Sequence, residues 1–212
     1  MISNRAGWVL MELPALLTYP LIVILSGIEL QNIHFVFLGL WGLHYINRTL
    51  IYPFRTRTKG KKMPISIPLM AMIFNGFNGA FLGLGVAYVY GAQYTSDWLT
   101  QPLSLIGIAL FLIGFAINFD ADNRLLNLRK PGETGYKIPY GGFYKWISCP
   151  NYFGEIVEWA GYALLLWNLS GIAFLVWTIA NLGPRALSHH KWYREKFEEY
   201  PPNRKALIPY LL

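Results

Sequence analysis

The chain has 212 residues, 54% hydrophobic and only 14% charged, where a soluble domain carries about 25% charged residues. With a mean hydropathy of +0.33 this points to a membrane protein. The net charge of +7 does not call for nucleic acid, because the basic residues lie between apolar segments, where orientation in a bilayer explains them. A single cysteine, Cys149, excludes an intramolecular disulfide and a thiolate metal cluster, and reads as a small filler residue.

In chain order, the N-terminal stretch has one early arginine, Arg5, and no small-residue cleavage site, so it reads as a first helix and not as a removed signal peptide. Apolar segments follow at about 7–28, 34–54, 65–91, 102–118, 151–168 and 170–189. Each approaches or exceeds the ~17–25 residues that cross a bilayer. Lipid offers the backbone no hydrogen bonds, so the spans must be helices or a closed barrel, and no alternating ten-residue pattern supports a barrel. The fold expected is therefore all-α and integral to the membrane. It is a single domain over 1–212, a bundle of about six transmembrane helices (five to seven) with ordered cytosolic loops. The connections near 29–33, 92–101 and 168–170 contain no Lys or Arg. The others hold nearly all of them, which predicts both termini in the cytosol and favours six spans.

Polar residues inside the spans are the first functional candidates. Glu12 lies about a turn into the first span. Apolar surroundings favour its protonated form, which can donate a proton or a hydrogen bond; the alternative is a carboxylate reaching the cytosolic surface. In the second span Trp41, Tyr45, Arg48 and Tyr52 recur at helical spacing and share a face. A Tyr and an Arg on one face, opposite a buried Glu, are explained as a polar pocket. In the third span Asn75-Gly76-Phe77-Asn78-Gly79 suits close helix packing with Asn supplying interhelical hydrogen bonds; direct contact with a ligand is the alternative. Pro14, Pro20 and Pro68 are expected to kink their helices.

Residues 118–159 interrupt the apolar pattern with Asp120, Asp122, Arg124, Arg129, Lys130, Glu133, Lys137, Glu155 and Glu158, five glycines, three prolines and many aromatics. The aromatics argue for packing and against a disordered linker. A long, ordered, charged loop is usually functional, and this one reads as a wall of a site for a large anionic molecule. Glu155 and Glu158 are three apart on one side of a helix. Pairing with nearby Arg or Lys is the default, placement of a cofactor ribose or amide the sharper alternative. No His at matching spacing supports a metal. In the tail, Arg185, His189 and Tyr193 form a stripe at four-residue spacing that can present several donors to phosphates. A basic amphipathic stretch lying on anionic lipid is the competing reading. His189-His190 lacks a third ligand nearby and is weak as a metal site. Neither a dinucleotide-binding GxGxxG unit nor a P-loop is present, so any nucleotide must be held by side chains from helices and loops.

Several of these blocks resemble the steroid 5-alpha-reductase family, the membrane 3-oxo-5-alpha-steroid 4-dehydrogenases. They are Leu128–Pro139, Gly141-Gly142, Asn151–Glu155 with Glu158–Leu164, Arg185–Tyr193 and Glu199–Pro209. The resemblance implies NADPH-dependent reduction of a 3-oxo-4-ene steroid, with hydride delivered to C5. It implies that Glu12 and Tyr45 are catalytic and hold the substrate carbonyl. It further implies that NADPH is contacted by Trp8, Asn118, Asp122, Arg129, Tyr136, Asn151, Glu155, Arg185, His189, Tyr193 and Arg204, without a metal. Substrate-lining helices would then occupy about 7–54 and the cofactor-binding half about 118–212. The partners expected are a steroid-like enone and membrane lipid, with no nucleic acid and no obligate protein partner. The site expected is a cell inner membrane.

Two departures from the family pattern stand out. The additional N-terminal helix common in animal members has no counterpart here, which suggests a shorter, bacterial-type member with six spans. Animal members also commonly carry Gln beside the catalytic Glu, where this chain has Met11, a residue that cannot donate a hydrogen bond. The alternatives to a steroid reductase are a related ene-reductase of a polyprenol or enoyl thioester, a membrane methyltransferase using S-adenosylmethionine, and a non-catalytic sterol-binding protein.

Overall fold

A backbone in lipid must satisfy its own hydrogen bonds, and this sequence does so with helices. The computed structural model describes residues 1–58, 60–129, 133 and 135–212. The helices are α1 (Asn4–Leu25), α2 (Asn32–Ile46), α3 (Tyr52–Arg55), α4 (Ser66–Leu84), α5 (Pro102–Asn127), α6 (Pro150–Leu166) and α7 (Leu169–Lys196). A π turn at Asn47–Ile51 joins α2 to α3 in one rod, and another at Gly85–Val89 lengthens α4. The first sits where Pro53 brings no N–H to the helix ladder, so the backbone widens its turn just before it. The described residues thus form six helical rods, matching the six apolar segments. Three of them, Asn4–Leu25, Ser66–Val89 and Pro102–Asn127, are long and apolar enough by themselves to cross a membrane. Leu21, Ile24 and Leu25 on α1, Met70 and Phe77 on α4, and Ile106 and Ile113 on α5 are exposed, as lipid-facing residues are. The chain is an all-α membrane protein.

Three expectations about local structure change. The fourth segment does not end at 118 but continues as helix to Asn127, so Asp120, Asp122 and Arg124 are helical and not part of a loop. The ion pair between Arg124 Nε and Asp120 Oδ2, 2.7 Å at i,i+4 spacing, supports these extra turns beyond the apolar stretch. Pro68 lies in the first turn of α4, where its missing N–H costs nothing, and so it is not a kink site. The first helix starts at Asn4, because the Ser3 hydroxyl accepts from Ala6 N and caps it. Short strands β1 (Ile2–Ser3) and β2 (Lys62–Met63) pair antiparallel beside that cap.

The chain divides into two compact units, one of residues 1–105 with 166–171 and one of residues 106–165 with 172–212. In the first, α4 meets α1 through small residues. A Cβ built on Gly79 would lie 3.2 Å from Tyr19 N, and one on Gly83 would lie 2.9 Å from Ile22 Cβ. The connection after α4 is tied down by Asn168, which donates to the Tyr94 hydroxyl (2.7 Å) and accepts from Ser170 Oγ (2.9 Å) and Gly171 N (2.8 Å). Tyr94 in turn donates to the Leu166 carbonyl at 2.9 Å, and its burial pushes the phenol up to about 12.

In the second unit, α5 and α6 touch backbone to backbone along a seam of glycines seven residues apart, Gly107 and Gly114 against Gly154 and Gly161. A Cβ on Gly154 would lie 2.5 Å from Asn118 N, and one on Gly107 would lie 2.7 Å from the Gly161 carbonyl. Beyond α7, the tail folds back on residues 146–149. Lys205 N donates to Trp146 O (2.9 Å), Ser148 N to Lys205 O (2.9 Å) and Cys149 N to Ala206 O (3.2 Å). Cys149 is buried with Ala186, Ala206 and Leu207. It is the filler its isolation suggested, and burial pushes its thiol up to about 12.

Candidate functional site

In the first unit the polar residues of α1 and of the α2–α3 rod face one another. On α1, Trp8, Glu12, Ala15 and Tyr19 lie at helical spacing and form one stripe. On the facing rod, Trp41, Tyr45, Arg48 and Tyr52 form the other. The two run antiparallel, and contacts at both ends fix their register. At one end Trp41 Nε1 donates to the Ala15 carbonyl (2.8 Å), while the Trp41 and Tyr19 rings meet at 4.9 Å. At the other, Arg48 Cζ lies 5.6 Å from the Trp8 ring and 5.2 Å from the Tyr52 ring, and those rings meet edge to face at 5.6 Å. Glu12 and Tyr45 lie between these two fixed points, one turn inward on their respective helices, and so stand at the same level. Tyr45 is buried, packed on Trp41 (4.5 Å) and His44 (4.9 Å).

A third helix reaches the same level. The Asn75 amide on α4 donates to the Met11 carbonyl at 2.6 Å and lies 3.4 Å from Glu12 Oε2. This is the interhelical role its sequence context suggested, but the contact with Glu12 itself is additional. Spacing along α4 alone gives no sign of it, because it depends on the rotation of α4 against α1, set by Gly79 and Gly83.

In the second unit, Asn118 and Asp122 are one turn apart on α5 and both buried. The Asn118 amide donates to the Asn151 carbonyl (2.9 Å), and the Asn151 amide donates to Asp122 Oδ1 (3.2 Å). Two helices thus hold these three residues as one cluster, placed by the glycine seam one turn away. Glu155 follows one turn after Asn151 on α6. The Arg124–Asp120 pair packs against the Gly141-Gly142 backbone, where φ is +83° and +50°. A Cβ on Gly142 would lie 2.6 Å from Asp120 Oδ2, a side-chain end that can move, so it is the positive φ that calls for glycine in this turn.

Arg185, His189 and Tyr193 share a face of α7. Arg185 and His189 are exposed. His189 Nε2 lies 3.4 Å from the Tyr152 hydroxyl. Tyr193 stacks on Tyr200 with centroids 5.3 Å apart, and burial pushes its phenol up to about 12. Arg129 donates to the Gly135 carbonyl at 3.2 Å, and Tyr136, 70% exposed, meets the Trp192 ring at 4.8 Å. Lys130, Pro131, Gly132 and Thr134 of the loop motif lie outside the described residues.

Arg204 is the most distinctive group of this unit. It is 3% exposed, its Cζ lies 4.9 Å from the Tyr140 ring and 5.1 Å from the Tyr200 ring, and its Nε and Nη1 have no hydrogen-bond partner among the described residues. A buried guanidinium held by aromatic faces with two uncommitted N–H groups can donate to an anion. Tyr140 and Tyr200, whose rings flank it, and Ser148, which bonds the Tyr200 hydroxyl at 2.6 Å, were not reached from sequence. Their association spans some fifty residues of chain and leaves no local pattern.

Comparison with known proteins gives a consistent picture. The family profile for 3-oxo-5-alpha-steroid 4-dehydrogenase matches residues 61–212. The chain is 47% identical over 212 residues to 3-oxo-5-alpha-steroid 4-dehydrogenase 1 of Bos taurus, covering 98% of this chain and 81% of that one. It is 46% identical over 213 residues to the Homo sapiens protein of the same name, covering 99% and 81%. With steroid 5-alpha-reductase DET2 of Solanum lycopersicum the identity is 42% over 213 residues, covering 99% and 82%.

Proposed function

Because the chain belongs to the 3-oxo-5-alpha-steroid 4-dehydrogenase family, oxidoreductases acting on CH–CH bonds, we propose that it reduces the 4,5 double bond of a 3-oxo-4-ene steroid using NADPH. NADPH, when bound, supplies the hydride that C5 accepts. The orphaned N–H groups of buried Arg204 fit a phosphate of that cofactor, and the Asn118–Asp122–Asn151 cluster offers amide donors and carboxylate acceptors suited to its polar groups.

The chemistry asked of the chain's own residues is stabilisation of charge. As C5 gains a hydride, negative charge develops on the C3 oxygen of the enone. A protonated Glu12 and the Tyr45 hydroxyl present two donors to that oxygen, and Asn75 keeps the Glu12 side chain in place through its amide. One such donor is worth about 2.7–4 kcal/mol of barrier. C4 then takes a proton, and the two additions together convert the enone to the saturated ketone. The apolar walls of α1, α2 and α4 exclude water and suit a sterol skeleton. The distribution of Lys and Arg supports cytosolic termini.

The observation that carries this reading is the shared level of Glu12 and Tyr45, bracketed by the Trp41–Ala15 and Arg48–Trp8 contacts. Glu12→Gln and Tyr45→Phe test it. Each is expected to cut turnover of a 3-oxo-4-ene steroid by about 10²–10³-fold while NADPH affinity stays near that of the wild type. Unchanged turnover in both variants removes the pair from the mechanism.

A further inference from the structure

We propose that Ser148 is a positioning residue for the Arg204 anion site, acting through Tyr200 and through the backbone of Lys205. This rests on the reading above that Arg204 meets a cofactor phosphate. Ser148 lies just before α6, is 3% exposed, and its Oγ has three partners: Tyr200 Oη at 2.6 Å, His190 Nδ1 at 2.6 Å and the Lys205 carbonyl at 3.1 Å.

One hydroxyl carries one proton and two lone pairs. The Lys205 carbonyl can only accept, so the Ser148 proton goes there. The lone pairs then accept from the Tyr200 hydroxyl and from His190, which carries its proton on Nδ1. Every hydrogen-bonding position of Ser148 is filled.

The consequence for Arg204 is direct. Tyr200 is held at its hydroxyl by Ser148 and across its ring by Tyr193, and the same ring lies 5.1 Å from Arg204 Cζ. Lys205, the next residue, is bonded to Ser148 at both the amide and the side chain, 2.9 and 3.1 Å from its carbonyl. Ser148 therefore fixes the ring on which the guanidinium lies and the backbone from which it springs, without touching the anion. An arginine with uncommitted N–H groups would otherwise swing to solvent or to a tail carbonyl, and the site would have to be rebuilt at each binding event.

The test compares Arg204→Ala, Ser148→Ala, Tyr200→Phe, the Ser148→Ala/Tyr200→Phe double variant and Ser148→Thr in purified full-length enzyme, measuring NADPH Kd and, with an enone steroid, KM for NADPH and kcat. Ser148→Ala and Tyr200→Phe are each expected to raise Kd and KM for NADPH about 5–30-fold, with kcat at saturating NADPH within twofold. The double variant should be no worse than Ser148→Ala alone, and Ser148→Thr, which keeps the hydroxyl, should recover most of the affinity. If Arg204→Ala loses NADPH binding while Ser148→Ala binds as the wild type does, the positioning role is refuted and the Arg204 reading stands. The positioning role also fails if kcat and KM deteriorate together, or if the single effects add. If Arg204→Ala binds NADPH normally, the Arg204 reading is itself wrong and the inference falls with it.

Discussion

Replacing Gly114 by alanine perturbs the second unit at its tightest point. A Cβ there would lie 2.6 Å from both Glu158 Cα and the Gly154 carbonyl oxygen, with Glu158 N closer still. These are backbone atoms of α6 and cannot swing aside. To restore an ordinary 3.4 Å contact to Glu158 Cα and the Gly154 carbonyl alone the helices must part by about 0.8 Å, and Glu158 N asks for more. Overpacking of this kind costs about 1–3 kcal/mol, and the upper end applies where no side chain can yield. For a chain of this size that is a fall in Tm of roughly 6–12 °C. The same opening carries the Asn118–Asn151 bond from 2.9 Å to about 3.7 Å or more, beyond hydrogen-bonding range, so NADPH affinity should fall as well. Gly7→Ala is the internal control. Its Cβ would lie 2.5 Å from Met63 Sδ, the flexible end of a thioether that can rotate away, and the cost should stay below about 1 kcal/mol. Thermal unfolding in detergent and NADPH titration read both effects. Equal Tm and equal Kd for Gly114→Ala and Gly7→Ala would refute the argument that the glycine seam positions the Asn118 cluster.

Three further outcomes are expected. Asn168→Ala removes the N-terminal cap of α7 and the donor to Tyr94 together, and should destabilise the first unit by about 2–3 kcal/mol; Asn168→Asp keeps the acceptor for Gly171 N and should lose less, as measured by thermal unfolding. Asn75→Leu fills the same space without an amide, and should lower kcat for enone reduction while leaving NADPH Kd unchanged, since its contacts are to Met11 and Glu12 in the first unit. Burial, reinforced by Arg194 and Lys205, holds the His190 imidazole below its ordinary value. Folding therefore favours the neutral form, and its contribution is intact above pH of about 6.5 and lost as pH falls from there through the lowered value. The Tm of the wild type should drop on acidification through that window, and His190→Asn should flatten the drop.

How far the sequence reveals this protein depends on the range of each interaction. The helices are local, and the apolar segments locate all six rods. Their ends were less accessible, because α5 continues through Asp120 and Arg124 on an ion pair that hydropathy does not register. The stripe of Trp41, Tyr45, Arg48 and Tyr52 follows from helical periodicity, and Trp8, Glu12 and Tyr19 carry the same spacing on α1. The glycine seam was legible in principle, since Gly107, Gly114, Gly154 and Gly161 repeat at seven residues, but a glycine at 154 beside a charged loop reads equally well as part of a turn. Ser148, Tyr200 and Arg204 meet only after the tail folds back on residues 146–149.

That contrast bears on where function is encoded. The groups assigned to the carbonyl lie on two adjacent helices, so helical spacing places each on its stripe, and the Trp41–Ala15 and Arg48–Trp8 contacts set the register between them. The anion site proposed at Arg204 depends on contacts between residues far apart in the chain, and its defining feature is a pair of N–H groups without partners among the described residues. A charged group buried and incompletely satisfied is costly unless a ligand completes it. The stability of the tail should accordingly rise when a phosphate-bearing ligand binds, by an amount that grows with the logarithm of ligand concentration above Kd. Hydrogen exchange at residues 197–207, followed with and without NADPH, should show that protection in the wild type and none in Arg204→Ala; equal protection in both would mean the tail owes nothing to the guanidinium.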